Sequence, residues 1–245
     1  MRILPRVNRL VGQALHDYAM LSDGDQVLVA VSGGVDSLVL AHLLVFWQRK
    51  APVRFGLVFA HVRRDEETAR LLRAKLAEAG LDLAILEGAA PPPEAGDPDT
   101  SCHLCARARR TRLFAEARRL GCNKLALGHH QDDLIETFLM NFTSAGNLST
   151  MRPKQTLFSG RLALIRPLAY VEKADIERVA RENGLVPLPS CCPLGERTRR
   201  KTMGELAREI YRRVPGAKRH MFAALGNARV DYLLDGRHAA TDRRD

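Results

Sequence analysis

The sequence predicts an α/β protein, a doubly wound parallel sheet with helical extensions at both ends. Three observations carry that expectation. Apolar runs of strand length alternate with stretches of helical periodicity from residue 26 to residue 165. Three helical stretches close at Gly80, Gly121 or Gly184 and lead into an apolar run, as helices do when a glycine takes the left-handed position after the last turn. The first strand also passes into a helix through Ser32-Gly33-Gly34-Val35-Asp36-Ser37, a turn suited to ligand binding at the carboxyl edge of such a sheet.

The elements follow in order. Val7, Leu10, Val11, Ala14, Leu15, Tyr18 and Leu21 recur at helical spacing and predict an amphipathic helix within residues 1–22. Strand 26–31, helix 36–49, strand 54–61, helix 65–79 and strand 81–86 come next. Residues 89–100 hold four prolines without apolar periodicity and read as a loop. A basic helix, 106–120, is opened by Cys102-His103-Leu104-Cys105. Strand 124–127, helix 132–142 and strand 162–165 complete a domain expected over 23–190. From residue 196 the chain is helical and basic, giving an expected segment 191–235, and residues 236–245 read as a disordered tail.

With 46% hydrophobic residues, a 245-residue chain has ample material for a core. Lys and Arg number 38 against 28 Asp and Glu, a net charge of +10 that suits a polyanionic partner, nucleic acid first. The longest apolar stretch, 38–47, contains His42 and is too short to cross a bilayer. The N-terminus lacks the apolar core of a secretory leader. A cytoplasmic protein with no membrane partner is expected, and its five cysteines would be reduced there.

The turn at 32–37 has the chemistry of an anion site. Gly33 and Gly34 let the backbone approach a phosphate, the first N–H groups of the helix have no internal partners, and Ser32 and Ser37 add hydroxyls. Asp36 can reach a magnesium ion. A second turn, Gly128-His129-His130-Gln131-Asp132-Asp133, also joins a strand to a helix. Gly128 would allow close approach to a nucleotide, and Asp132 and Asp133 offer ligands for magnesium or a general base. His61, at the end of the second strand, is a further candidate contact near the adenosine.

The Cys102/Cys105 pair admits several readings. A redox pair would follow the first strand of a thioredoxin-like unit, which this one does not. Zinc needs four ligands, and the adjacent Cys191 and Cys192 complete a tetrahedral site poorly. Three cysteines can hold an iron–sulfur cluster with one iron open. Ordinary buried thiols remain the plain alternative.

The hexapeptide Ser32–Ser37 resembles the SGGxDS signature of the PP-loop pyrophosphatases, which cleave ATP between the α and β phosphates. Together with CHLCARARR (102–110), LALGHHQDD (125–133), IRPLAY (165–170) and PLPSCC (187–192), it is similar to the tRNA 2-thiocytidine synthetase branch over residues 20–235. The resemblance implies ATP and Mg2+ bound over Ala30, Ser32, Gly33, Gly34, Asp36, Ser37, His61 and Gly128, with Asp36, Asp132 and Asp133 in the chemistry. It implies a [4Fe–4S] cluster on Cys102, Cys105 and Cys191, with Cys192 as the alternate third ligand. It also implies a basic residue at Arg109 and thiolation of an anticodon-loop cytidine at position 32, with sulfur from a donor such as a cysteine desulfurase. A homodimer is expected from the resemblance alone. The chain departs from the branch at Val35, where a lysine is usual, so one phosphate contact is missing there. RNA contacts are expected from Arg199, Arg200, Lys201, Arg212 and Arg213. The alternatives are uridine thiolation, lysidine synthesis, which needs no cysteines, or an ATP- or cluster-binding sensor without turnover, against which the acidic pair speaks.

Overall fold

The computed structural model describes residues 2–88, 98–189 and 198–234. Six strands, β1 (Asp25–Ala30), β2 (Phe55–Val62), β3 (Leu83–Leu86), β4 (Lys124–Ala126), β5 (Lys154–Leu157) and β6 (Leu162–Ile165), form one sheet in the order β3-β2-β1-β4-β6-β5. Every pairing is parallel except the β5–β6 hairpin. β1 lies between β2, in the register Ala30↔Ala60, and β4, in the register Val29↔Ala126. The order reverses there, and the crevice beyond the carboxyl ends of β1 and β4 is where such sheets take ligands.

The helices are α1 (Pro5–Asp17), α2 (Val35–Gln48), α3 (Glu66–Glu78), α4 (Pro98–Arg119), α5 (Gln131–Ser144), α6 (Lys173–Glu182), α7 (Arg199–Arg213) and α8 (Ala217–Ala224). Alternate residues of β1 face opposite ways, as the strand period demands. Val27 and Val29 join a core with α1, α2, α3 and α6, whereas Leu28 joins Leu113 and Ala117 of α4 on the other side. The sheet is thus covered on both faces. Within the first core α2 presents apolar residues on nearly all sides, and α1 approaches it so closely that a Cβ on Gly12 would lie 2.8 Å from the Trp47 ring. A third cluster, Ile135, Leu139 and Ala207, ties α7 to α5, with Phe222 of α8 packed against it.

Local chemistry explains where elements begin and stop. Asp65 caps α3 by accepting the Thr68 N–H at 2.7 Å, and Glu66 and Glu67 sit in its first turn, where the helix dipole favours acids. Gly80, Gly121 and Gly184 all have positive φ, as their helix-ending positions require.

Two expectations are corrected, and one strand was not foreseen. The N-terminal helix covers only Pro5–Asp17 of the expected 1–22. Residues 98–100, placed in a loop, are helical, so α4 starts four residues before Cys102 and the cysteines lie beyond its first turn. β5 escaped prediction because Lys154-Gln155-Thr156-Leu157 has no apolar alternation; it is an edge strand held by its hairpin with β6. On α7, Gly204 and Ala207 are the buried positions, while Leu206 is exposed. The tail 236–245 lies outside the described residues, as do Cys191 and Cys192.

Candidate active site

The turn between β1 and α2 is braced from within. The Ser37 hydroxyl, nearly inaccessible, donates to the Gly34 carbonyl at 2.8 Å and accepts from the Ser32 N–H at 3.1 Å. It also meets the Ser32 hydroxyl at 3.1 Å. Ser37 therefore shapes the turn, while Ser32 is exposed. Gly33 has φ +90°, which a side chain would strain, and its carbonyl accepts the Leu188 N–H at 3.0 Å. That bond brings the 187–189 segment, which leads to Cys191, against the glycine turn.

The second turn closes on the first. A Cβ on Gly128 would lie 3.1 Å from the Asp36 carbonyl carbon and 3.1 Å from the Ser37 nitrogen, so only glycine fits without displacing backbone. α5 is capped by His130, not by the aspartate that simple capping rules would choose. The His130 Nδ1 accepts the Asp133 N–H at 3.4 Å, and Asp133 Oδ2 accepts the His130 N–H at 2.9 Å. With Nδ1 accepting, the neutral ring carries its proton on Nε2, which lies 3.4 Å from Asp133 Oδ2 and 3.6 Å from Asp36 Oδ1. The two turns thus share one histidine.

Two lysines, missed by sequence reading, complete this cluster. Lys173, the first residue of α6, sets its Nζ 2.6 and 2.8 Å from the two Asp36 oxygens, and its backbone N–H donates to Asp132 Oδ2 at 2.9 Å. Lys218, on α8, lies 2.7 Å from Asp132 Oδ1 and 3.1 Å from Glu172. Burial opposes the Lys218 charge, but Asp132 and Glu172 hold its pKa above the ordinary value. No local motif marks either lysine; each arrives by tertiary packing. A cation thus stands on Asp36 from α6 rather than from position 35.

The histidines are enclosed. Burial pushes the His129 pKa down to about 3, with Arg166 and Arg200 adding repulsion against the pull of Asp133. Its Nδ1 accepts from Arg166 Nε at 3.2 Å, and burial brings the Arg166 guanidinium itself down to about 10. Burial favours the acid form of Asp133, yet His130, Arg200 and His129 hold it below its usual range. One turn further along α5, burial together with Asp133 raises Glu136 to about 7.

His61 is buried at the end of β2. Its Nδ1 is 2.7 Å from the Val31 carbonyl oxygen, which can only accept, so Nδ1 carries the proton. Nε2 is then a buried lone pair without a hydrogen-bond partner among the described residues. Burial, with the Arg109 and Arg64 charges, keeps its pKa low.

Cys102 and Cys105 stand three residues apart on α4, one helical turn, both partly exposed and neither in a disulfide. Arg109 follows Cys105 by four residues on the same face. Two accessible thiols on one helical face beside cationic side chains suit a thiolate-bound metal group. Cys122 is by contrast a core residue, buried beside Leu125, and burial raises its pKa.

The expected RNA contacts on α7 are largely engaged with acids. Arg199 pairs with Asp99 at 2.9 Å and Arg212 with Glu209 at 2.6 Å, and Arg213 also pairs with Glu209. Arg200 lies 3.7 Å from Glu136 and 3.8 Å from Asp133. Arg200 thus meets the acidic end of α5, Arg199 reaches α4, and the Glu209 pairs stay within α7.

A doubly wound sheet with a glycine turn and an acidic turn meeting at its switch point defines a nucleotide-binding protein of the PP-loop kind, and residues 4–186 match the PP-loop domain family. The tRNA-cytidine(32) 2-sulfurtransferase of Syntrophotalea carbinolica is 38% identical over 243 residues, 96% of this chain and 93% of the relative. Its namesake in Geobacter metallireducens is also 38% identical, over 94% of this chain and 92% of the relative. The chain belongs to this family of PP-loop tRNA-cytidine(32) 2-sulfurtransferases. Among solved structures, the U34-tRNA thiolase NcsA from Methanococcus maripaludis with its [4Fe–4S] cluster shares the fold, with a TM-score of 0.73 at 22% identity over 90% of this chain and 76% of that one.

Proposed function

We propose that this protein is an ATP-dependent tRNA thiolase that converts a cytidine at anticodon-loop position 32 to 2-thiocytidine. The observation that carries the reading is the meeting of the two turns, Gly128 against Asp36 and Ser37, which sets the phosphate cradle against a carboxylate cluster. The backbone N–H groups of the Gly33–Gly34 turn, with the Gly34 N–H resting 3.4 Å from the Ser32 hydroxyl, and that hydroxyl itself bind the ATP phosphates. His61, at the end of β2, lies near the adenosine in this reading. Cytidine O2 attacks the α-phosphorus, the bond to the bridging oxygen breaks, and pyrophosphate leaves. Sulfide then adds at C2, and AMP departs with the former O2.

Asp36 and Asp132 are partly accessible carboxylates with the donor chemistry of a magnesium site. Mg2+ held there supplies positive charge to the leaving pyrophosphate. Lys173 and Lys218 hold these two carboxylates in place. Arg109 opposes the negative charge that develops near the base. A [4Fe–4S] cluster fits the two thiols of α4, with Cys191, or Cys192, as third ligand outside the described residues, and supplies an iron that can carry sulfide. A cysteine desulfurase is the sulfur donor in this reading, the setting is the cytoplasm, and the working form is a homodimer.

The test is anaerobic purification followed by assay of iron, acid-labile sulfide and zinc. Unmodified tRNA is then incubated with ATP and a sulfide source, and its nucleosides are resolved by mass spectrometry. About four irons and four sulfides per chain, lost in Cys102→Ala, together with ATP-dependent 2-thiocytidine, support the reading. One zinc without sulfide, or a clustered protein that forms no thionucleoside, refutes it.

A further inference from the structure

A cavity of about 650 Å³ lies beside the acidic cluster, between α1, α8 and the turn that enters α6. Its size is that of a site for one nucleotide-sized group. Tyr18, Tyr170 and Phe222 line it and meet edge to face, Tyr18 to Tyr170 at 5.9 Å and Tyr170 to Phe222 at 5.8 Å between ring centroids. Arg9, Lys218 and Arg219 bring cations to the same walls. Lys218 is at once a wall of the cavity and the partner of Asp132, so the cavity adjoins the candidate active site.

The contrast with α7 decides what this cavity is for. The α7 arginines have carboxylate partners, whereas Arg9 and Arg219 are exposed and form no ion pair with a carboxylate among the described residues. Among the described residues Arg219 bonds only to the neighbouring His220 ring, Nη2 to Nε2 at 3.2 Å. Surface cations without a carboxylate partner gain most from a phosphate, because no ion pair has to be given up and counterions are released. Aromatic rings beside such cations make a stacking platform for unpaired bases, the form in which RNA loops are read.

We infer that this cavity binds a nucleotide of the substrate RNA next to the reacting base, with the base against Tyr18, Tyr170 and Phe222 and its phosphates on Arg9 and Arg219. The inference rests on the tRNA reading above and names where that RNA is held. The test is fluorescence anisotropy of labelled unmodified tRNA with the anaerobically purified protein over a series of salt concentrations. Arg9→Ala and Arg219→Ala should each weaken binding and reduce the slope of log K against log salt by about 0.7 to 0.9. Phe222→Ala should weaken binding about 5- to 100-fold with no change in slope. ATP affinity, read by calorimetry, should be unchanged in both arginine variants. The arginines are exposed, so these variants stay folded even if Phe222→Ala does not. Wild-type slopes and affinities in both arginine variants overturn the inference while leaving the tRNA reading intact. Loss of ATP binding with tRNA binding retained would give the cavity to a free mononucleotide and overturn it too. No tRNA binding by the wild-type protein would remove both.

Discussion

The two strand-to-helix turns at the centre of the sheet, 31–37 and 127–133, sit side by side but are built by opposite means. The first is closed by its own residues: Ser37 binds Ser32 and Gly34, and Gly33 supplies the left-handed step. The second is held by the rest of the molecule. The Lys173 backbone N–H and the Lys218 ammonium both bind Asp132, Arg200 reaches Asp133, and Arg166 donates to His129. A turn closed by neighbours in sequence can be recognised in sequence. A turn balanced by charges from α6, α7 and α8 cannot, because those charges are tens of residues away.

The sharpest way to break the comparison is to remove one acid from each side. Asp36→Asn and Asp132→Asn should each lower ATP–pyrophosphate exchange by at least about 100-fold, the several kcal/mol that a bound metal contributes. Exchange within a few-fold of wild type in either variant would remove that carboxylate from the chemistry. Next comes the brace. Ser37→Ala removes the hydroxyl that joins the Ser32 N–H to the Gly34 carbonyl and should cost about 0.5–1.5 kcal/mol for each bond in urea denaturation, with weaker ATP binding. If stability falls and ATP affinity does not, the brace serves only the fold.

Lys173→Met separates the two turns differently. It leaves Asp36 uncompensated beside incoming phosphates, so ATP affinity in EDTA should fall about 10-fold, one ionic contact's worth, and recover in part with magnesium. Equal loss with and without magnesium would show that the lysine contacts phosphate rather than screening Asp36.

The smallest effect is on stability against pH, where His129 and Glu136 pull in opposite directions. The folded His129 pKa, near 3, is below the ordinary 6.5, so the unfolded chain binds the extra proton and stability falls as pH drops through that interval. Glu136, raised from 4.5 to about 7, holds a proton the unfolded chain has lost, and its contribution disappears as pH rises through 7. The slopes offset one another between about 4.5 and 6.5, and His129 acts alone below that. Calorimetric melting against pH should show a flatter acid limb in His129→Gln and a higher midpoint above pH 7 in Glu136→Gln.

How far the sequence carries can be judged from particular residues. The 3.6- and 2-residue periods marked the strands 26–31 and 54–61 and their helices because burial on a sheet face fixes side-chain spacing locally. The polar strand Lys154–Leu157 gave no such signal, since an edge strand is stabilised by its neighbour's backbone. The helical start at 98 was hidden by prolines, although Pro98 opens α4, a position that suits it. His61 was legible as a candidate, but its unsatisfied Nε2 was not.

By itself the sequence determined five of the six strands, the glycine turn, the acidic pair and the cysteine helix with its family resemblance, because each is written in contiguous residues whose spacing has a local physical meaning. Only the tertiary structure decided which cations are engaged and which are open. Lys173 and Lys218 are bound to the carboxylates, the α7 arginines face acids, and Arg9 and Arg219 remain beside an aromatic cavity. Charge pairing depends on distance in space, and a composition of +10 holds no record of it.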